Sequence, residues 1–340
     1  MTTNPSVEPT TEPMDASSIV GAGWRQFTAN LAQNFGIALK GTLWTIAPLI
    51  IALAAGSLFV QQTLGGIDNV TRDALQPYTG LLVLATVALI VFSFYCFAQS
   101  LGYFLGISRL TFQRLSGITE PAKTALRFTR SRKYALLWTS IWQGMILFVA
   151  YITGIFLMSM LAVAAAAVLN ISPTNPPSLP TLLLVGLLGA LTIIALLSIY
   201  VWLIVRLMLS TQPLAIEQQS DVTQAISRSW QLTRKHVWHC ILVSLLTFLI
   251  SLPISIVTYL ISNAVMAELF GTTVVEPDGS LGSMATFLFA TLISTIISAL
   301  GSVITTPLWQ SVLAALYFDL RNRLNQPAAL QPKPAITSSQ

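Results

Sequence analysis

Residues 182–209 read LLLVGLLGALTIIALLSIYVWLIVRLML, with Arg206 as the one charged side chain. An α-helix rises about 1.5 Å per residue, so about 20 apolar residues cross the hydrocarbon core of a bilayer, which is about 30 Å thick. Lipid offers backbone N–H and C=O groups no hydrogen-bond partner, so a spanning segment must be a helix or part of a closed barrel. Hydrophobicity here is continuous rather than alternating, which excludes a barrel strand. The run is therefore predicted to be a transmembrane helix.

Six stretches in the chain meet this requirement. They occupy residues 37–60, 80–107, 136–169, 182–209, 240–270 and 284–318. The composition agrees, because 54% of the residues are hydrophobic, 9% are charged and the mean hydropathy is +0.74. We predict an all-α polytopic membrane protein with six transmembrane helices in residues 19–325. Residues 1–18, rich in Pro, Thr, Ser and Glu, and the Pro-containing residues 326–340 are predicted to be disordered tails.

Basic residues occupy every second polar segment between the spans. Sixteen of the seventeen Lys and Arg residues lie in four regions of the chain, and the exception is Arg72. These regions are the start of the chain up to the first residues of span one, the segment between spans two and three, the segment from the end of span four to span five, and the C-terminal end. The intervening segments carry acidic residues instead, namely Asp68, Asp73, Glu268, Glu276 and Asp278. Because positive charge marks the cytoplasmic side of a membrane protein, both termini are predicted to be cytoplasmic.

An amphipathic segment precedes each pair of spans on the predicted cytoplasmic side. Apolar residues recur at helical spacing in residues 20–35, after residues 119–121 (TEP), and after Asp221, which is a predicted N-cap. The sequences FTR at 128–130 and LTR at 232–234 align the second and third segments. We predict a unit of interfacial helix plus two-span hairpin, repeated three times. The alternative is that basic amphipathic linkers recur without a true repeat.

Catalytic and metal-binding patterns are lacking in the sequence. The spans carry no Asp, Glu, Lys or Arg at mid-depth, where such residues serve proton or ion transfer. His236 and His239 lie three positions apart, but a zinc site needs a third and usually a fourth ligand. Cys96 and Cys240 fall within apolar runs and predict buried thiols rather than a disulfide. We therefore expect no enzymatic activity, no cofactor and no metal site.

The segment between the second and third spans carries the densest positive charge, with seven basic residues and one acid, Glu120. Each Lys or Arg near an anionic leaflet contributes about 1 kcal/mol to membrane binding. The candidate contacts to anionic headgroups or to a protein partner, in this segment and the next, are Lys123, Arg127, Arg130, Arg132, Lys133, Arg228, Arg234 and Lys235. The alternative is that these charges only set the topology. No nucleic-acid partner is expected.

Two regions resemble a known family. They are residues 206–238, with QPLAIE at 212–217 and AISRSWQLTR at 225–234, and the end of the last span, with LYFDLRNR at 316–323. These residues resemble the membrane domain attached to some bacterial glycerophosphoryl diester phosphodiesterases, and related stand-alone membrane proteins. The resemblance implies a six-span helical fold with interfacial helices in a bacterial inner membrane. It does not imply catalysis, because that family's phosphodiesterase activity belongs to a separate soluble barrel with acidic metal ligands.

Charged residues at the span ends suggest two structural ion pairs. Arg206 is predicted to pair with Glu217, and Asp319 with Arg321 or another basic residue. The preferred function is a non-catalytic integral membrane protein that contacts anionic lipid or a protein partner through its basic helices. The alternatives are a transporter of a lipid-like or amphipathic molecule, with a cavity between the three hairpins, and a membrane-embedded enzyme whose site carries no recognisable motif.

Overall fold

The computed structural model describes residues 13–63, 75–168, 178–217, 221–271 and 281–325. No β-strand occurs within these ranges. The helices, in chain order, are α1 (Ala16–Ala29), α2 (Leu31–Thr63), α3 (Thr79–Leu115), α4 (Ala122–Ser131), α5 (Lys133–Val168), α6 (Leu179–Leu207), α7 (Gln212–Ile216), α8 (Val222–Thr233), α9 (Val237–Gly271) and α10 (Leu281–Asn325). A 3-10 turn at Gln76–Tyr78 leads into α3.

Six of the helices are long and apolar enough to cross a membrane, namely α2, α3, α5, α6, α9 and α10. The predicted all-α, six-span membrane fold is therefore confirmed. Helix α3 has 37 residues and α10 has 45. At about 1.5 Å per residue these helices are longer than a bilayer core requires, so parts of both are available for packing outside it.

The buried core lies at one end of the bundle, where α3, α6 and α10 finish. Helices α1, α4, α7 and α8 pack there against the spans, and we call it the basic end. Leu105, Leu214 and Tyr317 belong to this core and are almost completely buried. Towards the other end, apolar side chains are exposed, as at Leu84 (66%) and Val163 (69%). Apolar surface of this extent fits a lipid environment.

The three interfacial helices take equivalent positions on the spans. In α4, Thr129 Oγ1 donates to the Gly102 carbonyl of α3 at 2.7 Å. In α8, Ser229 Oγ donates to the Arg206 carbonyl of α6, also at 2.7 Å. Helix α1 packs in the same way on α10, where a Cβ on Gly23 would come within 2.8 Å of the α10 backbone. Each interfacial helix thus contacts the second span of a hairpin. Helix α1, although first in the chain, contacts the second span of the third hairpin.

These contacts correct the sequence alignment of the second and third segments. Matching FTR at 128–130 with LTR at 232–234 made Thr129 equivalent to Thr233. In the structure the equivalent residue is Ser229, one helical turn earlier, and Thr233 donates to the Ser229 carbonyl within α8. The predicted N-cap of α8 is confirmed, because an Asp221 carboxylate oxygen accepts from the Val222 N–H at 2.7 Å.

The N-terminal boundary of the folded region lies earlier than predicted. Helix α1 begins at Ala16, Ile19 is fully buried, and the Met14 N–H donates to an Asp319 carboxylate oxygen at 2.9 Å. Met14 and Ala16, assigned to the tail, therefore belong to the folded region, and Met14 is bonded to α10. The remainder of that tail and all of residues 326–340 lie outside the described residues, as do Asp68, Arg72, Asp73, Glu276 and Asp278 of the predicted outer segments.

Candidate functional site

An ion pair between α3 and the segment that leads into α4 organises the basic end. Arg109 donates to both carboxylate oxygens of Glu120, at 2.8 and 3.1 Å, and both side chains are about nine-tenths buried. The guanidinium carbon also lies 3.8 Å from the centroid of the Phe128 ring. A bidentate arginine–carboxylate pair is a strong and directional contact, so it fixes α4 against α3.

Two arginines hold the short helix α7 in place. Arg109 Nη1 reaches the Ala215 and Ile216 carbonyls at 3.4 and 3.5 Å. Arg132 Nη1 donates to the Glu217 carbonyl at 2.7 Å, and burial together with the nearby Arg109 charge lowers the pKa of Arg132. Arg132 was predicted to contact headgroups. The structure places its guanidinium against the end of α7, and the predicted headgroup or partner contact stays a prediction.

Most of the other predicted contact residues face outward. Lys123, Arg127, Arg234 and Lys235 are exposed. Arg130 is also exposed, with its Nε 3.4 Å from Gln99 Oε1 and its guanidinium 5.0 Å from the Tyr103 ring centroid. Lys133 is half-buried, 4.5 Å from the Tyr95 ring centroid.

Exposed aromatic side chains lie close to these cations along the chain. Trp138 and Trp142, on the first turns of α5, are 53% and 40% exposed, and Trp238 at the start of α9 is 82% exposed. Trp favours the headgroup level of a bilayer, where its ring is apolar and its N–H stays hydrated. The outward cations of α4 and the α8–α9 junction are therefore adjacent in sequence to residues suited to that level.

The predicted pair of Arg206 and Glu217 is wrong. Arg206 lies about 5 Å from the ring centroids of Trp202 and Trp230 and donates to the Trp230 carbonyl at 3.0 Å. The Glu217 carboxylate accepts from the Tyr317 hydroxyl at 2.5 Å. Arg206 thus joins α6 to α8 through aromatic and backbone contacts, whereas Glu217 joins the end of α7 to α10.

Asp319 pairs with Arg323 rather than with Arg321, and the prediction had left its basic partner open. The Arg323 Nε–Asp319 Oδ2 distance is 2.7 Å, and Asp319 is 2% exposed. Arg323 Nη2 also donates to the Met14 carbonyl at 2.7 Å, while His239 Nε2 lies 3.8 Å from Asp319 Oδ2. Together with the Met14 N–H bond, this cluster attaches the start of α1 to α10.

A cavity of about 700 Å³ opens where α3, α7, α8 and α10 meet. Helix α3 ends beside it in a Schellman motif: Ile118 N–H donates to the Gln113 carbonyl, and Gly117 adopts φ 75°. Glycine is suited to this left-handed conformation because it lacks a Cβ. Arg228, from the predicted contact set, and Arg321 both line the cavity.

Comparison of the chain with protein-family models, curated proteins and solved structures gives no match. The resemblance to the phosphodiesterase-associated membrane domain therefore stays a prediction. Within the described ranges, no group of three or more His, Cys, Asp and Glu side chains is placed to hold a metal ion.

Proposed function

We propose that this chain is a non-catalytic membrane protein whose basic end lies at the cytoplasmic face of a bacterial inner membrane and binds anionic lipid headgroups. The contacts are the exposed cations Lys123 and Arg127 on α4, and Arg234 and Lys235 at the α8–α9 junction. The observation that carries the proposal is the division of the basic residues. Arg109, Arg132 and Arg323 bind groups of the chain itself, whereas these four project outward.

Position on the interfacial helices supports a headgroup role. Lys123 and Arg127 are four residues apart and share one helix face, while Ala125 and Thr129 are fully buried against α3. A cation at this level is attracted to the negative surface potential of an anionic leaflet, an interaction that salt screens. A protein partner with an acidic surface would use the same residues, and the test below separates the two.

The test measures lipid retained by purified protein. Wild-type protein and the double variant K123Q/R127Q are reconstituted in nanodiscs of phosphatidylglycerol and phosphatidylcholine, and bound lipids are counted by native mass spectrometry. The control R25Q/K40Q removes the same charge from exposed positions on α1 and α2. We expect fewer phosphatidylglycerol adducts for K123Q/R127Q than for the control. The variant R234Q/K235Q tests the other pair of cations in the same way. Equal adduct numbers in wild type and all variants would refute lipid binding and leave a protein partner as the ligand of this surface.

Orientation needs a separate experiment. A single cysteine replacing Arg127, and another replacing Asp278, are labelled from outside intact cells with a membrane-impermeant maleimide. The native Cys96 and Cys240 are fully buried. Labelling at Asp278 alone is expected, and labelling at Arg127 alone would reverse the proposed orientation.

A transporter of a lipid-like molecule is the second candidate, favoured by a groove of about 480 Å³ between α9 and α10. Hydroxyl and amide side chains line it, including Thr258, Ser262, Asn263, Ser294 and Ser298. A fluorescent phospholipid in proteoliposomes tests this function, because transport between leaflets exposes the inner pool to an external reductant. Transport by wild type that is abolished in Ser298→Leu would favour the transporter. No transport by wild type would favour the binding protein.

A further inference from the structure

We infer that the cavity between α3, α7, α8 and α10 is a binding site for a phosphate-bearing molecule. This site goes beyond the proposed headgroup surface, because its cations lie inside the basic end rather than on its outer face. Its polar lining comes from Gln113, Ser116, Glu217, Gln224, Arg228 and Arg321. The volume of about 700 Å³ falls within the usual range of small-molecule sites.

The two arginines of the cavity differ from the other half-buried or buried arginines. Arg109 and Arg323 are paired with carboxylates. The remaining three donate to oxygen atoms of the chain, namely Arg114, Arg132 and Arg206. Arg228 and Arg321, in contrast, form no hydrogen bond or ion pair with the residues that the structure describes. Arg228 Nε is buried without a partner.

Arg321 is half-buried and lies 5.5 Å from the Phe112 ring centroid. A buried guanidinium N–H without an acceptor, as at Arg228 Nε, is costly. An oxyanion in the cavity would supply that acceptor.

The charge of the lining favours phosphate. Arg228 and Arg321 contribute two positive charges and Glu217 one negative charge, which leaves one net positive charge to be balanced. Glu217 already accepts from Tyr317, so its carboxylate is held on the α10 side. Guanidinium groups bind phosphate oxygens through their N–H fork, and two of them facing one cavity fit a phosphate better than a neutral ligand.

The other residues that line the cavity indicate which chemical groups the ligand carries besides its phosphate. Gln113 Oε1 is buried without a partner and is available to accept from a hydroxyl or an amine. Phe112, Ile118, Pro213 and Ile216 provide apolar walls for carbon atoms. The ligand is therefore a phosphate ester with a hydrogen-bond donor, either as the headgroup of a membrane phospholipid or as a soluble molecule.

The experiment compares wild type with R228Q/R321Q in two arms. In one arm, inorganic phosphate is titrated into detergent-purified protein, and the shift in melting temperature reports binding. In the other, phosphatidylglycerol is titrated into phosphatidylcholine nanodiscs, and native mass spectrometry counts the saturable adducts. We expect binding in at least one arm and a loss of affinity of about tenfold or more in R228Q/R321Q, because charge-assisted hydrogen bonds are removed. A phosphate shift indicates a soluble phosphate ester, and a response to phosphatidylglycerol alone indicates a headgroup.

The control is again R25Q/K40Q, which has the same net charge as R228Q/R321Q and should bind like wild type. If R228Q/R321Q does not fold, the single variant R321K, which keeps the charge but loses the fork, is expected to weaken binding. No binding in either arm, or equal binding by wild type and the arginine variants, would overturn the inference. The cavity is tested with R228Q/R321Q and the outer headgroup surface with K123Q/R127Q. Either proposal can therefore fail without the other.

Discussion

The Arg109–Glu120 pair provides the sharpest test of how the basic end is held together. The substitution Glu120→Gln keeps the size of the side chain and removes its charge. Arg109 is then left 8% exposed without a counterion. Removing one partner of a buried ion pair costs about 3 to 5 kcal/mol, because the other charge stays desolvated.

The structure favours the lower end of that range. After the substitution, Arg109 keeps its contact with Phe128 and two carbonyl acceptors at 3.4 and 3.5 Å, which are longer than usual hydrogen bonds. An amide oxygen at residue 120 also retains one acceptor. We therefore expect Glu120→Gln to lower the free energy of unfolding by about 3 kcal/mol.

Unfolding in mixed micelles, followed by tryptophan fluorescence, measures this change. Asp15→Asn is the matched control, because Asp15 is exposed and its side chain makes no capping hydrogen bond. The control is expected to stay within about 0.5 kcal/mol of wild type. The double variant R109Q/E120Q should lose less than the sum of the single variants, since it leaves no unpaired charge. If Glu120→Gln were as stable as Asp15→Asn, the pair would not be the contact that fixes α4 on α3.

Three further predictions concern the attachment of α1 and the α8–α9 junction. Asp319→Asn should destabilise the fold by about 3 kcal/mol and increase amide hydrogen exchange in α1, because Arg323 loses its buried partner; unchanged exchange in α1 would contradict it. Gly23→Ala should cost about 1 to 3 kcal/mol in thermal unfolding, since its Cβ would lie within 2.8 Å of the α10 backbone. Gly21→Ala, whose Cβ would meet only the end of the Arg25 side chain at 4.0 Å, should be neutral or stabilising. Burial, followed by the Arg323 charge, lowers the pKa of His236. The unfolded chain therefore binds more protons there, so stability should fall as the pH drops below about 6.5. The variant H236Q should reduce that pH dependence in melts between about pH 7.5 and 5.5.

The six spans were predictable because hydropathy is a local property. A run such as residues 182–209 has only one stable conformation in lipid, whatever its neighbours are. The helix ends were not predictable in the same way. Helix α10 continues to Asn325 because its last turns pack against α1 and α3, for example through Arg321, whose guanidinium lies 5.5 Å from the Phe112 ring centroid. Such contacts depend on tertiary structure, which hydropathy does not encode.

The partners of the charged residues also depend on tertiary structure and were not predictable from the sequence. Arg206 and Glu217 are close in sequence and opposite in charge, which suggested a pair. Helix α7 instead places Glu217 beside Tyr317, and α8 brings Trp230 to Arg206. Glu120 was interpreted as the one acid of a basic segment and as part of a helix start, with no pairing predicted. It lies eleven residues after Arg109 and comes within reach of it once α4 folds back on α3. The sequence did not distinguish Arg109 from its basic neighbours as the partner of Glu120.

The equivalent positions of the interfacial helices explain why the basic residues divide into two sets. Each helix must bury one face on a span, and in α4 and α8 that face carries small residues, Ala125 and Ala225, followed by a hydroxyl that bonds a span carbonyl. Long cationic side chains on the same helix are excluded from this face by size and by charge. On α4 they are therefore directed to the outer face, as at Lys123 and Arg127, or, as at Arg132, to the carbonyl groups at the end of α7. The helix face on which a basic residue lies, and not the total charge of the segment, therefore decides whether it binds the chain itself or faces outward. The outward-facing residues are the ones available to a membrane or a partner.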